Sequence, residues 1–202
     1  MLNHDTFSAV LAKGRSAGAD FAEVYVERWR RRSMRTIDGS VAEATSGIQL
    51  GAGVRLFFGE DVVYGYTNDL SDAALGELVT NLAALRGGVG RPDAQGKGGL
   101  DLRTLDAGPD IHAPDVPFER HDKQWRLARL REVDAAARVA PEISQVETTL
   151  LEWEQDVTVA NSDGVLVDDR RVRSRVVAQA IATDGTETQT GMNGPGLSVG
   201  LE

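Results

Sequence analysis

Three stretches of the chain carry apolar residues at helical spacing. In residues 4–17, Phe7, Val10 and Leu11 fall on one stripe, and Asp5 or Thr6 is in place to cap the first turn. A second helix is predicted after Ser71, a good N-cap residue, and a third over residues 119–139. Their predicted buried sides are Leu75, Leu78, Val79, Leu82 and Leu85 in the second helix, and Trp125, Leu127, Leu130, Val133 and Ala137 in the third.

In the first half of the chain, apolar residues otherwise alternate with polar ones, which is the pattern of strands. Residues 20–37 and 40–48 are predicted to form a hairpin around the turn residues Asp38-Gly39. Two shorter strands are predicted on either side of Gly59-Glu60-Asp61. Within the return strand, the predicted inward positions are Val41, Ala44 and Ile48.

The second half repeats this order. Residues 143–160 and 165–183 alternate in the same way, with the turn residues Asn161-Ser162-Asp163-Gly164 between them. Asp184-Gly185 then leads into a final strand and a glycine-rich tail. The sequence therefore predicts an α+β fold in which antiparallel sheets carry helices on one face, with a possible helix-strand-strand internal repeat.

A segment rich in glycine and proline separates the two halves. Residues 87–117 carry little apolar content and are predicted to form a loop or linker. The predicted organisation is an α+β unit over residues 1–86, this linker, and a second α+β unit over residues 118–202 that packs with the first.

Composition narrows the possible functions. The formal net charge of −9, from 31 acidic and 22 basic residues, argues against nucleic-acid binding, since proteins that grip phosphates are usually basic. No cysteine is present, which excludes disulfides and thiolate chemistry. No stretch has the length and apolar character of a signal peptide or membrane span, so we expect a cytoplasmic protein without membrane contact.

Two arginine runs lie on predicted strands. The first run consists of Arg28, Arg30, Arg31, Arg32 and Arg35. It either grips a peptide or nucleic acid, with Arg30 and Arg32 as possible peptide or partner contacts, or, as we favour, pairs with Glu23, Glu27 and Glu43 across the hairpin. In the second run, Arg171, Arg173 and Arg175 share one strand face, and pairing with Glu147, Glu152 and Glu154 of the preceding strand is again the simpler interpretation.

Polar residues between a strand and a helix often serve a site, so Tyr66, Asn68 and Asp69 are further possible contacts for a peptide or partner. The alternative is that Asn68 or Asp69 shapes the turn while Ser71 caps the helix. Likewise, Glu119, His121 and Asp122 are more simply helix-start residues than a metal cluster. The glycines form no phosphate-binding motif in the required context.

Four segments, taken in order, resemble the N-terminal region of the TldD/PmbA family, also known as modulator of DNA gyrase. They are GADFAEVYVERWRRRSMRTIDGSVAEATSGIQLGAGVRLF, GYTNDLSDAALGELV, VTVANSDGVLVDDRRVRSRVVAQAIA and the GPG-containing tail. The resemblance covers most of the chain outside residues 87–117. It implies a zinc metallopeptidase that degrades peptides or unfolded proteins and assembles as a homodimer or as a heterodimer with a related subunit.

In this family the zinc ligands come from an HExxxH motif in the C-terminal half. The histidines of this chain are His4, His112 and His121, and none stands in such a motif. We therefore expect no cofactor and no catalytic or metal-binding residue in this chain, with zinc implied only for a full-length member. The leading hypothesis is a non-catalytic N-terminal region that contributes to the substrate channel and to subunit docking, inactive as an enzyme alone. The alternative is a stand-alone binding or regulatory protein that acts on a peptidase or on gyrase.

Overall fold

The structure, a computed structural model, describes residues 2–85, 100–106, 108 and 113–201. In order along that part of the chain, the elements are α1 (His4–Ser16), β1 (Phe21–Ile37), β2 (Ser40–Phe58), β3 (Asp61–Thr67), α2 (Asp72–Leu85), β4 (Arg103–Thr104), a 3₁₀ turn (Phe118–Arg120), α3 (Lys123–Ala137), β5 (Ile143–Asn161), β6 (Val165–Thr183), β7 (Thr188–Asn193) and β8 (Gly196–Leu197). None of these helices combines the length and the apolar character that a transmembrane helix needs.

The strands form one largely antiparallel sheet with the order β3-β2-β1-β5-β6-β4, and β7 and β8 also pair with β6. β4 pairs in parallel with the start of β6. The α+β class with an antiparallel sheet is thereby confirmed. The turn predictions also hold: Asp38 and Gly39 have φ of 51° and 70°, the positive values that a tight two-residue hairpin turn requires.

The chain divides into two compact units, each drawn from three stretches. Unit 1 comprises Met1–Arg28, Gln49–Pro109 and Asp156–Arg170, and unit 2 comprises Trp29–Ile48, Asp110–Gln155 and Arg171–Glu202. The long strands β1, β2, β5 and β6 thus contribute residues to both units.

Unit 1 has a core between the sheet and two helices. Alternate residues of β1 and β2 are fully buried there, and they pack with the apolar stripes of α1 and α2. The main members of this core are Val24, Val26, Val54, Leu56, Phe7, Leu11, Leu75 and Val79. Leu102, which lies in the described part of the glycine- and proline-rich segment, is buried in the same core beside β4.

Of the two helix caps predicted in unit 1, the cap of α1 was wrong and the cap of α2 is confirmed. The side chain of Asn3, rather than Asp5 or Thr6, caps α1 by accepting a hydrogen bond from the Thr6 amide at 2.8 Å. Ser71 caps α2 as predicted, accepting from the Ala74 amide at 3.3 Å. Leu85 is 74% exposed at the end of α2, so its predicted burial was wrong.

Unit 2 has a smaller apolar core of Met34, Leu130 and Leu150. Its helix α3 is capped as expected by Asp122, which accepts from the Trp125 amide at 2.7 Å. The buried face of α3, however, is Arg126, Leu130 and Asp134. The predicted buried residues Trp125, Leu127, Val133 and Ala137 are only half-buried, because two ion-paired side chains take the inner positions.

The first part of β2 also differs from prediction. All residues from 40 to 50 are exposed, including Val41 and Ile48 at 48% and 64%. Their inward placement was wrong because alternation sets which residues share a face but not whether anything covers that face.

Candidate functional site

A cluster of arginines and carboxylates lies in unit 2, on the face of the sheet that α3 covers. Side chains two apart on a strand share a face, so Arg30 and Arg32 of β1 lie together, as do Glu152 and Glu154 of β5. Because β1 and β5 are neighbours in the sheet, the two pairs meet. Glu152 and Glu154 are each only 2% exposed, so this cluster is a buried one.

Arg126 of α3 anchors the cluster. Its Nε and one terminal nitrogen donate to the two carboxylate oxygens of Glu152 at 2.8 Å and 3.0 Å, a bidentate pair. The remaining donors reach the backbone carbonyls of Phe118, His121 and Asp122. All five guanidinium N–H groups are thus satisfied, which is what a buried charge requires.

Glu119, at the 3₁₀ turn, links this cluster to solvent. Arg30 donates to its carboxylate at 3.1 Å, and Arg32 reaches the same oxygen at 3.5 Å. Partial burial raises the pKa of Glu119, but its own backbone amide and the charges of Arg30 and Arg32 outweigh that effect and lower it overall. Glu119 is therefore held as a carboxylate down to pH values below its ordinary range.

The inner contacts of the two arginines differ in closeness. Arg30 Nε lies 3.0 Å from Glu154 Oε2, at angles that do not make a hydrogen bond. Arg32 lies 3.7 Å from Glu152. Arg32 is thus the more loosely held of the two, and it borders a cavity.

The predicted pairing of Arg30 and Arg32 with glutamates across the hairpin was wrong, because both pair with Glu119 and with the β5 glutamates. Arg35 does pair with Glu43 at 3.8 Å across the hairpin, but it lies closer to Glu147, at 3.1 Å. The predicted pairing of Glu147 and Glu152 with the second arginine run was wrong, since these carboxylates pair with Arg35, Arg32 and Arg126. The missed signal was the matched spacing of two arginines and two glutamates at alternate positions.

A cavity of about 460 Å³ adjoins the cluster in unit 2. Met34, Phe118 and Leu150 supply an apolar floor, and residues 44–46 of β2 form one side. Its charged lining is balanced, with three cationic and three anionic side chains: Arg32, Lys123, Arg126, Glu119, Asp122 and Glu152. Such a site suits a side chain with an apolar body better than a free ion.

The strand that borders this cavity has an open edge. β3 pairs with β2 only over residues 52–58, and within the described chain no strand pairs with residues 40–48 on the side away from β1. This stretch contains no proline and one charged residue, Glu43. An exposed edge of this length presents a row of unpaired backbone N–H and C=O groups.

The other predicted contact residues lie in unit 1. Tyr66, at the end of β3 opposite Gly53, is 73% exposed. Asn68 and Asp69 form the turn into α2, where the Asp69 carboxylate accepts from the Ser71 amide at 2.9 Å. Hydrogen bonds from Ser71 lower the pKa of Asp69. The five residues therefore fall into two groups in different units, and any contact role for them stays a prediction.

The described residues do not fit a zinc ion. No group of three or more histidine, cysteine, aspartate or glutamate side chains in the described part of the chain is arranged to hold a metal. His4 lies in unit 1, with Nε2 at 3.2 Å from the Leu102 carbonyl oxygen. His121 lies in unit 2, stacked on Trp125, and His112 lies outside the described residues.

Two family domains match the sequence in order. Residues 22–86 match the PmbA/TldA metallopeptidase domain 1, and residues 116–202 match the PmbA/TldA metallopeptidase central domain. A Metalloprotease TldD homolog of Haemophilus influenzae is 25% identical over 188 residues, which cover 91% of this chain and 37% of that protein.

Solved structures share the fold at low sequence identity. A candidate modulator of DNA gyrase from Bacteroides thetaiotaomicron has a TM-score of 0.77 at 14% identity, over 98% of this chain and 46% of its own. One from Thermotoga maritima has 0.74 at 13%, over 96% and 43%. TldE from Thermococcus kodakarensis has 0.66 at 12%, over 96% and 43%.

The chain spans less than half the length of each of these relatives. The chain belongs to the PmbA/TldD metallopeptidase family and corresponds to the N-terminal part of its members.

Proposed function

We propose that this chain is the non-catalytic N-terminal region of a TldD/PmbA-like zinc metallopeptidase and that it holds an extended peptide along the open edge of β2. The observation that carries the proposal is the edge over residues 40–48, exposed and unpaired on one side within the described chain, beside a cavity of about 460 Å³. An extended peptide adds to such an edge through backbone hydrogen bonds, and pockets beside it take alternate side chains.

Recognition by an edge suits peptides and unfolded proteins as substrates. Backbone groups are the same in every sequence, so strand addition gives affinity without demanding particular residues. The balanced charge of the cavity adds no preference for an acidic or a basic side chain, while Met34, Phe118 and Leu150 favour an apolar one. A folded protein would be excluded because its backbone groups are already paired.

The ion cluster keeps this edge in place. Arg126 ties α3 and the 3₁₀ turn to β5, and Arg30 and Arg32 tie β1 to the same elements. Since β1 lies between β5 and β2, a rigid β1 fixes the strand that offers the edge. In this role Arg30 braces the wall of the channel, and Arg32, which lines the cavity, is a proposed contact for the peptide.

The hydrolytic step is assigned to the rest of the family protein. Zinc supplies a Lewis acid and an activated water when it is bound, and the described residues offer no ligand set for it. We further propose a dimer with a second or related subunit in the cytoplasm. In this assembly Tyr66, which is 73% exposed, and the neighbouring Asn68 and Asp69 are proposed docking contacts.

The test is amide hydrogen exchange of this chain with an unstructured ten-residue peptide. Edge amides that point away from β1 should exchange fast in the free protein and become protected over residues 40–48 when the peptide is added. The matched control is the same peptide with alternate amides N-methylated, which cannot form the ladder and should protect nothing.

Equal protection by the N-methylated peptide, or protection elsewhere only, would contradict the proposed strand addition. Protection by an added family peptidase subunit or by gyrase, with none by either peptide, would instead support the alternative function. In that case the chain would be a binding or regulatory protein that acts on such a partner.

A further inference from the structure

The second arginine run lies on the face of the sheet in unit 2 that points away from α3. On the α3 side, Met34 of β1, Leu150 of β5 and Val176 of β6 pack together with Leu130 of the helix. Alternate residues of a strand point to opposite faces. The residues that alternate with these three therefore form the opposite surface, which we call the arginine face.

Arginines flank an apolar strip in the middle of the arginine face. The side chains of Thr36 and Thr148 meet at 2.7 Å on the α3 side, and this register of β1 and β5 places Arg31 beside Trp153. Since β5 lies between β1 and β6, Arg173 stands on the far side of Trp153. Trp153 is half-buried, whereas Arg31 and Arg173 are exposed, so the face is open to solvent.

The arginine face is positive although the chain as a whole is acidic, with a formal net charge of −9. At its alternate positions in β1, β5 and β6 within unit 2, the ionisable side chains are five arginines and one glutamate: Arg31, Arg35, Arg171, Arg173, Arg175 and Glu147. Arg35 is engaged by Glu147 at 3.1 Å and by Glu43 of β2 at 3.8 Å. The remaining positive charge lies at Arg31 and along residues 171–175, and it creates a local field that attracts anions.

Three exposed arginines of this face keep a positive charge that no neighbour cancels. Arg31 lies over the Trp29 ring at 4.3 Å, and Arg175 donates from Nε to the Gly194 carbonyl at 3.2 Å. Neither contact supplies a negative charge, and in the described part of the chain neither of these arginines nor Arg173 has a carboxylate partner. A guanidinium group presents its N–H donors as a fork that matches a carboxylate.

We propose that the arginine face docks an acidic, extended segment of a protein partner. The carboxylates of the segment meet Arg31, Arg173 and Arg175, and an apolar side chain of the segment rests on Trp153. Arginines two apart on β6 stand about 7 Å apart, which is also the spacing of alternate side chains in an extended peptide.

A single-stranded nucleic acid, the other polyanion that arginines bind, fits this face less well. Such strands stack successive bases on aromatic side chains. Here Arg31 lies over the Trp29 ring and leaves Trp153 as the ring of this face that can receive a base. The acidic protein segment is thus the favoured occupant, and its docking depends on neither the β2 edge nor the function proposed for that edge.

The test is isothermal titration calorimetry with a ten-residue peptide of two Glu-Glu-Leu-Glu-Glu units and a match that carries glutamine at each glutamate. The acidic peptide should bind about tenfold more tightly, the gain typical of a charge-assisted hydrogen bond. This preference should shrink as the ionic strength rises. Arg31→Gln/Arg173→Gln should abolish it. The matched control, Arg120→Gln/Arg129→Gln, removes two exposed charges from the helical elements on the α3 side and should leave it intact.

Amide N-methylation separates this face from the β2 edge. Side chains carry the proposed contact, so the acidic peptide with alternate amides N-methylated should keep its preference over the equally methylated glutamine peptide. Loss of the preference on methylation would show that the carboxylates are bound at a strand edge, and the proposal would be wrong.

Three further results would overturn the proposal. The first is equal affinity for the acidic and the glutamine peptides. The second is a preference that Arg31→Gln/Arg173→Gln leaves unchanged. The third is tighter binding of a ten-nucleotide oligothymidylate than of the acidic peptide, with the same dependence on Arg31 and Arg173, which would assign the face to nucleic acid.

Discussion

At the scale of single residues, Arg126 is the side chain whose loss should cost most. Arg126→Met leaves the Glu152 carboxylate, only 2% exposed, without its bidentate partner. We expect the free energy of unfolding to fall by about 3–5 kcal/mol, as when one partner of a buried ion pair is removed. Urea unfolding measures this change. Arg129→Met, which breaks the exposed pair with Glu132 and a contact with the Trp125 ring, should cost no more than about 1 kcal/mol.

The double variant Arg126→Met/Glu152→Met tests whether the lost stability comes from the unpaired Glu152 carboxylate. Removing both charges leaves no unpaired carboxylate, so much of the lost stability should return. If Arg126→Met alone proved as harmless as Arg129→Met, the assignment of Arg126 as the anchor of the cluster would be wrong.

A second residue-scale prediction concerns Asp184 in the β6–β7 turn. Its carboxylate accepts from the amides of Glu187 and Thr186 and from the Thr186 hydroxyl, which lowers its pKa from 3.8 to about 2. A lowered pKa means that these bonds stabilise the turn above about pH 3.8 and are lost as the pH falls through about 2.

Titration of the Asp184 carboxyl carbon by NMR checks this value. The midpoint should lie near 2, and Thr186→Val, which removes only the hydroxyl donor, should move it upward. A midpoint of 3.8 in the unmodified chain would show that the turn does not hold the carboxylate in this way.

At the scale of elements, two helical glycines in unit 1 make a matched pair. A Cβ at Gly14 of α1 would come within 2.7 Å of Leu56 Cδ2 in the packed core, whereas one at Gly76 of α2 would meet only Lys13 Nζ at 3.3 Å. Alanine is a better helix former than glycine by about 1 kcal/mol, so Gly76→Ala should stabilise. Gly14→Ala should destabilise, because overpacking a core costs about 1–3 kcal/mol. Thermal unfolding of both variants gives the comparison, and equal stabilisation by both would contradict the packing of α1 on β2.

The elements also show which features a sequence can predict. The hairpins followed from local turn chemistry, as at Asp38-Gly39, and from alternation. The exposure of residues 40–50 could not be predicted from turn chemistry or alternation, because it depends on what lies over a strand. The partners of Arg30 and Arg32 required the order β2-β1-β5, which places Glu152 and Glu154 beside them. The buried face of α3 was missed because an apolar stripe cannot reveal an ion-paired Arg126 or Asp134.

At the scale of the whole molecule, we propose that this chain holds the peptide and that the remainder of a family protein hydrolyses it. The chain covers 37% of the Haemophilus influenzae relative. Its described residues offer an open strand edge with an adjoining cavity, and no three-residue metal group among them. A peptide should therefore bind to this chain without being cleaved.

The most direct test of this claim is one mass-spectrometry experiment on the chain, incubated in deuterated buffer with an unstructured peptide and added zinc. The same spectra report hydrogen exchange of the chain and the integrity of the peptide. We predict protection over residues 40–48 and an uncut peptide. Zinc-dependent fragments of the peptide, or unchanged exchange over residues 40–48, would contradict the account.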